Sequence, residues 1–320
     1  MHVIIGSGPI GSATATALLA RGERVTMVSR SSRPAPGSVP TSTDLAFATA
    51  DAADTAQLIG ATAGATAIYN CVNPAYHRWP TDWPPVAAAL LDAAETHSAV
   101  LVTASNLYPY GRGSGVMSED TPARPSDHKG EVRQQMWLDA LARHQAGRVR
   151  VTEARASDYL GPFATDGAHA GSRLIEPLLA GKTIRPIGDP DVLRSWTYLP
   201  DIGETMATLG LDERAWGRLW HVPSPAPKSF RTLAADLAAE AKVSLPKISP
   251  VPSWLINAAG LVNPMMKEIK GVAYQFTETF VMDSSRATAE LGLTTTAWPQ
   301  ILADTVSWWR GKNSPLNAAA

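Results

Sequence analysis

At 320 residues, with 45% hydrophobic and 18% charged side chains, the chain is long enough for one large domain or two unequal ones, and its composition excludes disordered and fibrous classes. Its 28 basic and 29 acidic residues leave a formal charge of −1, so no field draws it onto nucleic acid or an anionic bilayer, and small molecules are the expected partners. The one cysteine, Cys71, excludes an intrachain disulfide and falls in an apolar run that reads as a buried strand, which suits a reducing, cytoplasmic compartment.

In chain order, Val3-Ile4-Ile5 is a short apolar strand that runs directly into glycines, not the h-region of a signal peptide. Strands are predicted at His2–Ile5, Glu23–Ser29, Leu45–Thr49, Ala67–Val72, Ala99–Thr103 and Arg148–Ala154. Between them, Ile10–Ala20 reads as a helix stopped by Gly22, Val86–Thr96 as a helix entered through Pro84-Pro85, and Asp127–His144 as a third. Short β-branched runs alternating with alanine-rich helices predict an α/β fold of the Rossmann type, a doubly wound parallel sheet with helices on both faces. The Pro/Ser/Gly-rich segment Ser31–Asp44 reads as a surface loop beside a ligand site.

After Gly161-Pro162 the alternation becomes irregular, which predicts a smaller, discontinuous C-terminal substrate domain. The boundaries expected are residues 1–163 for dinucleotide binding, with 191–222 rejoining that unit through strands at Ser195–Leu199 and Arg218–Val222, and residues 164–190 and 223–320 for the substrate. The weakly polar stretch Trp254–Met266 is broken by Asn257, Gly260, Asn263 and Pro264; it reads as helix and turn, too short to span a membrane. No internal repeat is visible.

Gly6, Gly8 and Gly11 spell G-x-G-x-x-G between the first strand and the first helix. The first glycine permits a tight turn, the second lets backbone approach a pyrophosphate and the third lets helix and strand pack closely, so Gly6, Ser7, Gly8, Pro9, Ile10 and Gly11 are the expected dinucleotide cradle. The second strand ends in Ser29-Arg30, with no carboxylate for a ribose 2′-hydroxyl. Ser29, Arg30 and Arg33 suit a 2′-phosphate instead, which favours NADP over NAD. Asp51 is placed for the adenine amine, although it or Asp54 serves equally as a helix cap, and Asn70, Val72 and Asn73 end the fourth strand near the ribose and nicotinamide.

With the glycine fingerprint, Asp51-Ala-Ala-Asp54, Ala104-Ser105-Asn106-Leu107-Tyr108-Pro109-Tyr110-Gly111, Glu119-Asp120-Thr121-Pro122 and Arg155-Ala156-Ser157-Asp158-Tyr159-Leu160-Gly161-Pro162 in hand, the chain resembles the extended and atypical short-chain dehydrogenase/reductases, the superfamily of the NAD(P)-dependent epimerase/dehydratases. Gly188-Asp189-Pro190, Tyr198-Leu199-Pro200-Asp201 and Asp283-Ser284-Ser285-Arg286 extend the resemblance over nearly the whole chain. The resemblance implies a catalytic Ser/Thr and Tyr-x-x-x-Lys, yet Asn106, Lys129 and Arg133 stand at those positions. Lys129 and Arg133 lie four apart on one helical face, so the arginine's charge disfavours a charged Lys129 and makes a lysine proton donor chemically reasonable. Atypical members that reduce carbon–carbon double bonds are similar in using a lysine without the tyrosine. Alternatively, Lys129 and Arg133 are a solvated face or anchor the cofactor ribose. Tyr108 and Tyr159 are further proton donors, whereas the resemblance implies packing for Tyr110.

Tyr76-His77-Arg78-Trp79 follows the fourth strand, at the carboxyl edge where such folds bind ligands. Tyr76, His77, Trp79, Tyr159, Trp196 and Tyr274 are therefore the candidate substrate residues, with Trp137, Trp254 and Phe276 as further walls; for His77 a surface role is the plainer alternative. No cluster has metal-ligand spacing, so no catalytic metal is expected. The leading expectation is an NADP-dependent reductase of a carbonyl, imine or activated double bond in a small, partly apolar metabolite. A nucleotide-sugar epimerase or dehydratase and a non-catalytic NADP-binding regulator stand as alternatives, and a homodimer is left open.

Overall fold

The computed structural model describes residues 1–30, 33–165, 167–252, 255, 268 and 270–312. Its strands in chain order are β1 (His2–Ile5), β2 (Val25–Ser29), β3 (Leu45–Thr49), β4 (Ala67–Asn70), β5 (Val100–Asn106), β6 (Val116–Met117), β7 (Arg150–Ala156), β8 (Asp158–Leu160), β9 (Leu193–Arg194), β10 (Trp196–Tyr198), β11 (Leu219–His221), β12 (Lys228–Ser229) and β13 (Val281–Met282). The helices are α1 (Pro9–Ala20), α2 (Thr55–Ala61), α3 (Trp79–Thr96), α4 (His128–Gln145), α5 (Ser172–Leu179), α6 (Leu199–Leu211) and α7 (Phe230–Glu240), followed by helical segments at Tyr274–Thr277, Ser285–Leu291 and Trp298–Lys312.

Seven strands form one parallel sheet in the order β11-β7-β5-β4-β1-β2-β3. Because side chains alternate across a strand, each strand feeds two cores. Val3, Ile5, Ile68, Leu101 and Val151 pack with α3 and α4 residues on one face. Ile4, Met27, Tyr69, Val102 and Ala154 pack with α1 and α6 residues on the other. This is the doubly wound sheet that the alternation predicts. A separate apolar cluster joins Leu174, Leu178, Trp196, Phe230, Leu233, Leu237 and Trp309 in the C-terminal part.

Two predicted elements differ. Helix α3 begins at Trp79, not at Val86, and carries Pro84 and Pro85 inside it. Trp79 and Trp83, one turn apart and both buried, hold the first turn against the core, so packing overrides the missing proline donors. Of the two strands expected to rejoin the sheet, β11 pairs with β7, whereas β10 pairs with β8 in a two-stranded ribbon outside it. The stretch Trp254–Met266, apart from Leu255, lies outside the described residues. No described helix is long and apolar enough to cross a membrane.

Candidate active site

Strand order reverses between β1 and β4, and parallel sheets open a crevice at such a point beyond their carboxyl ends. A cavity of about 760 Å³ lies there, running from the glycine turn after β1 past the ends of β4, β5 and β7 to the segment around Phe276.

The glycine turn is shaped for an anion. Gly6 has φ +113° and a Cβ there would stand 2.5 Å from the Cys71 carbonyl oxygen; a Cβ on Gly11 would stand 2.1 Å from the Gly6 oxygen. Both positions therefore require glycine for the fold itself. A Cβ on Gly8 would meet nothing within 4 Å, because Gly8 faces the open cavity. Gly8 is the N-cap of α1, where no side chain caps the helix and Pro9 occupies the first turn, so the helix N-terminus is open to a pyrophosphate. The residues fit a dinucleotide.

Ser7, Pro9, Ile10, Ser29, Arg30 and Val72 also line the cavity. Arg33 does not; its guanidinium lies 4.6 Å above the Phe47 ring. Asp51 stands between the cavity-lining Ala50 and Ala52 but is turned outward, accepting a hydrogen bond from the Ala53 amide at 3.0 Å, while Asp54 caps α2 through the Gln57 amide at 3.0 Å. Asn70 is buried under the turn, its side-chain oxygen accepting from the Val72 amide at 3.3 Å.

Past the β5 end, Asn106, Tyr108, Tyr76, Trp79, Tyr159 and Arg133 all line the cavity. Asn106 accepts a hydrogen bond from the Tyr108 amide at 3.1 Å, which fixes the turn that presents Tyr108. The Tyr76 hydroxyl donates to the Tyr108 oxygen at 2.9 Å, and the Gln275 side chain acts on the same phenol. Burial raises the pKa of both phenols, so each is a neutral O–H at pH 7. Arg133 donates to the Ala104 carbonyl at 3.3 Å, and its guanidinium lies 4.3 Å from the Trp83 ring and 4.7 Å from the Trp79 ring. Burial pulls it down to about 10.

The chain matches the sequence model of the NAD dependent epimerase/dehydratase family over residues 3–215. It belongs to that family. A nicotinamide dinucleotide is accordingly the cofactor that the glycine turn serves. No curated protein matches the chain in sequence. Among solved structures it is similar to a UDP-glucose 4-epimerase from Thermotoga maritima with UDP-glucose (15% identity, 98% of this chain and 100% of that one covered, TM-score 0.80). It is also similar to a UDP-glucuronic acid 4-epimerase from Bacillus cereus in complex with NAD (17% identity, 98% and 100% covered, TM-score 0.79). A dTDP-glucose 4,6-dehydratase from Streptomyces venezuelae with NAD bound gives 20% identity, 97% of each chain and a TM-score of 0.75. At these identities the likeness is one of fold.

This epimerase/dehydratase-family member does not bring Lys129 onto the cavity wall. The Lys129 amine is fully buried, pairs with Glu268 and stands 4.5 Å from the centre of the Tyr76 ring. Lys129 is thus engaged in an ion pair with a residue far along the chain, not set against Arg133. His77 is exposed and off the cavity. Trp196 is buried behind it, its indole N–H donating to the Lys228 carbonyl at 3.0 Å. Tyr274 is likewise buried, its hydroxyl 3.5 Å from Asp127, and Trp137 packs in the core beneath the sheet, whereas Phe276 is on the wall; Trp254 lies outside the described residues. Tyr110 packs as the resemblance implies, its hydroxyl 2.7 Å from His221. No group of His, Cys, Asp and Glu among the described residues is arranged to hold a metal.

The structure adds Asp158, His169, Arg173 and Gln275 to the wall. Asp158 was within reach of sequence reasoning, as the first acidic side chain after β7. It pairs with Arg194 at 3.0 Å, yet burial dominates and raises its pKa. Nothing local marks His169 or Gln275; their neighbours come from distant segments.

Proposed function

We propose that the protein is a nicotinamide-dependent enzyme of the epimerase/dehydratase family whose substrate is a nucleotide sugar and whose proton donor is Tyr108. One observation carries this: a single cavity joins the glycine turn to Tyr108, whose backbone amide is held by Asn106 and whose hydroxyl accepts from Tyr76 beside the end of β5. The substrate class rests on family membership and on the nucleotide sugars named for the similar folds.

A bound nicotinamide supplies hydride transfer to or from the substrate carbon. The protein supplies the rest. Tyr108 donates a hydrogen bond to the substrate oxygen and passes its proton as charge develops there, while the Tyr76 hydroxyl, already donating to the Tyr108 oxygen, stabilises the resulting phenolate. The Asn106 amide group lies on the same wall as a second donor, and the Arg133 guanidinium adds fixed positive charge. Lys129 acts one step back, holding the Tyr76 ring through its charge and its Glu268 pair. Ser29 and Arg30 beside the ribose end support a preference for NADP.

A specific observation favours a second reading, reduction of a carbonyl in a smaller, partly apolar metabolite. Tyr76, Trp79, Tyr159, Phe276 and Phe280 make an aromatic wall that suits a partly apolar substrate. Incubation with NAD or NADP and either UDP-glucose or dTDP-glucose, followed by NMR of the sugar, separates the two from a panel of carbonyls, imines and enones monitored by reduced-nicotinamide absorbance. A changed sugar supports the first reading and absorbance loss on the panel selects the second; cofactor binding without turnover on either leaves the regulator. In whichever reaction proceeds, Tyr108→Phe lowers kcat by about two to four orders of magnitude with cofactor affinity intact; unchanged turnover removes Tyr108 from the chemistry.

A further inference from the structure

Among the cavity-wall groups that the mechanism leaves unused is the half-buried His169. His169 lies in the connection between β8 and α5, a run of tight turns closed by the Ala164 to Gly161, Ala168 to Thr165 and Gly171 to Ala168 backbone bonds. A Cβ on Gly171 would stand 1.9 Å from the Thr165 oxygen, so the loop packs too closely for any side chain there. Its path presses the His169 ring into an aromatic box. Phe276 stacks on it at 4.6 Å, Trp196 lies nearly parallel at 6.4 Å, and Phe230 meets it edge-on at 5.1 Å.

The box holds the ring by its faces and offers its nitrogens nothing. No described residue hydrogen-bonds to His169, and the indole N–H of Trp196 is committed to Lys228. Behind the box, the Arg194 guanidinium stands 4.7 Å from the Phe276 ring and 5.3 Å from the Trp196 ring, paired with Asp158. Burial, with the charges of Arg194 and Arg173, keeps the His169 pKa well below its ordinary value. At neutral pH the ring therefore carries one N–H donor and one bare acceptor nitrogen. The imidazole is half-buried on the cavity wall with its nitrogens unpartnered by any described residue, and a ring that merely filled the box would be better as phenylalanine.

We propose that His169 is a specificity residue that hydrogen-bonds a neutral oxygen of the substrate, a hydroxyl or carbonyl such as a sugar or a nucleobase carries, at the end of the cavity remote from the glycine turn. The identity of that ligand as a nucleotide sugar rests on the proposed function; the unsatisfied ring does not. His169 is thus kept for recognition at some expense to stability.

The test uses the full chain saturated with NAD, titrated calorimetrically with UDP-glucose and with dTDP-glucose, as wild type, His169→Phe and His169→Asn. Phenylalanine keeps the stacking and removes both nitrogens, so affinity for the sugar nucleotide that binds falls about tenfold to a hundredfold, while NAD affinity holds. Asparagine, which keeps a donor and an acceptor, recovers part of the loss. In the ligand-free protein, His169→Phe raises the thermal midpoint. Unchanged sugar-nucleotide affinity in the phenylalanine variant, or a lowered midpoint, overturns the proposal. Should neither nucleotide bind the wild type, the substrate class of the proposed function fails, and the midpoint alone decides His169.

Discussion

The two ends of the cavity are built on opposite plans. At the glycine turn, backbone within a few residues of β1 makes the site: Gly6 and Gly11 are forced by close approach, and Gly8 with the open N-terminus of α1 is left for a ligand. At the far end, side chains from segments spread between Tyr76 and Phe280 converge, and pairs such as Tyr76 with Tyr108 and Asp158 with Arg194 join positions distant in sequence. The first plan tolerates little substitution but is independent of the rest of the chain. The second depends on contacts far apart in sequence, such as the Lys129 amine over the Tyr76 ring and the Tyr76 hydroxyl on Tyr108.

The sharpest way to break that contrast lies within the glycine turn. Gly8→Val adds a side chain into open cavity, so dinucleotide affinity falls below calorimetric detection while circular dichroism and thermal midpoint stay near wild type. Gly11→Val drives a side chain into the Gly6 carbonyl, so it loses binding and stability together. Cofactor binding retained by a folded Gly8→Val protein would show that the pyrophosphate does not approach there.

The next effect belongs to the far end. Lys129→Met leaves Glu268, only 13% exposed, without its buried cation, at a cost of about 3–5 kcal/mol in chemical denaturation. His128, 3.0 Å from the same carboxylate, offsets part of this. A large fall in stability with turnover reduced only in proportion to folded protein marks a positioning lysine; a loss of kcat by orders of magnitude in a stable variant would restore it as the proton donor.

That division explains what the sequence revealed. The fingerprint at positions 6, 8 and 11, the strand before it and the helix after it are local in the chain, and spacing alone carries them. The helix register of Lys129 and Arg133 was equally legible, but not the fate of each side chain: Arg133 reaches the cavity and Lys129 is drawn to Glu268, a partner that no periodicity names. Pro84 and Pro85 misled for the same reason, since the burial of Trp79 and Trp83 that overrides them is a tertiary fact. His169 shows the limit. A histidine among Gly, Ala and Thr gives no signal until Trp196, Phe230 and Phe276 close around it.

A smaller effect tests a long-range device outside the cavity. His221 is buried, its Nδ1 donating to the Asp283 carbonyl at 2.7 Å and its Nε2 accepting from the Tyr110 hydroxyl at 2.7 Å, which satisfies both nitrogens of the neutral ring. Burial, aided by the Arg155 and Arg286 charges, lowers it to about 4, against an ordinary value of 6.5. Between those values the unfolded chain binds the extra proton, so His221 contributes stability above about pH 6.5 that is lost as pH falls toward about 4. The loss between about pH 7 and about pH 5 is about 2 kcal/mol. Glu119, Asp158 and Asp201, with raised pKa values, act with the opposite sign, so the measurement is the difference in pH slope between wild type and His221→Phe. Equal slopes would remove His221 as the cause.

The smallest effect returns to the glycine end and asks how far its local plan extends. Ser29 and Arg30 end β2 on the cavity wall, where a ribose carboxylate partner is absent, whereas Arg33 is drawn aside onto Phe47. In the proposed NADP preference Arg30 supplies the charge for a 2′-phosphate, and a charge-assisted contact there is worth about 1–3 kcal/mol. Calorimetry should find NADP bound more tightly than NAD by that margin, with Arg30→Ala closing most of the gap and Arg33→Ala closing little. Equal affinities in the wild type, or an NAD preference, would mean that the rim is a solvated charge and that cofactor choice lies outside the local sequence. A gap that survives Arg30→Ala but collapses in Arg33→Ala would mean instead that Arg33 leaves the Phe47 ring when the dinucleotide binds.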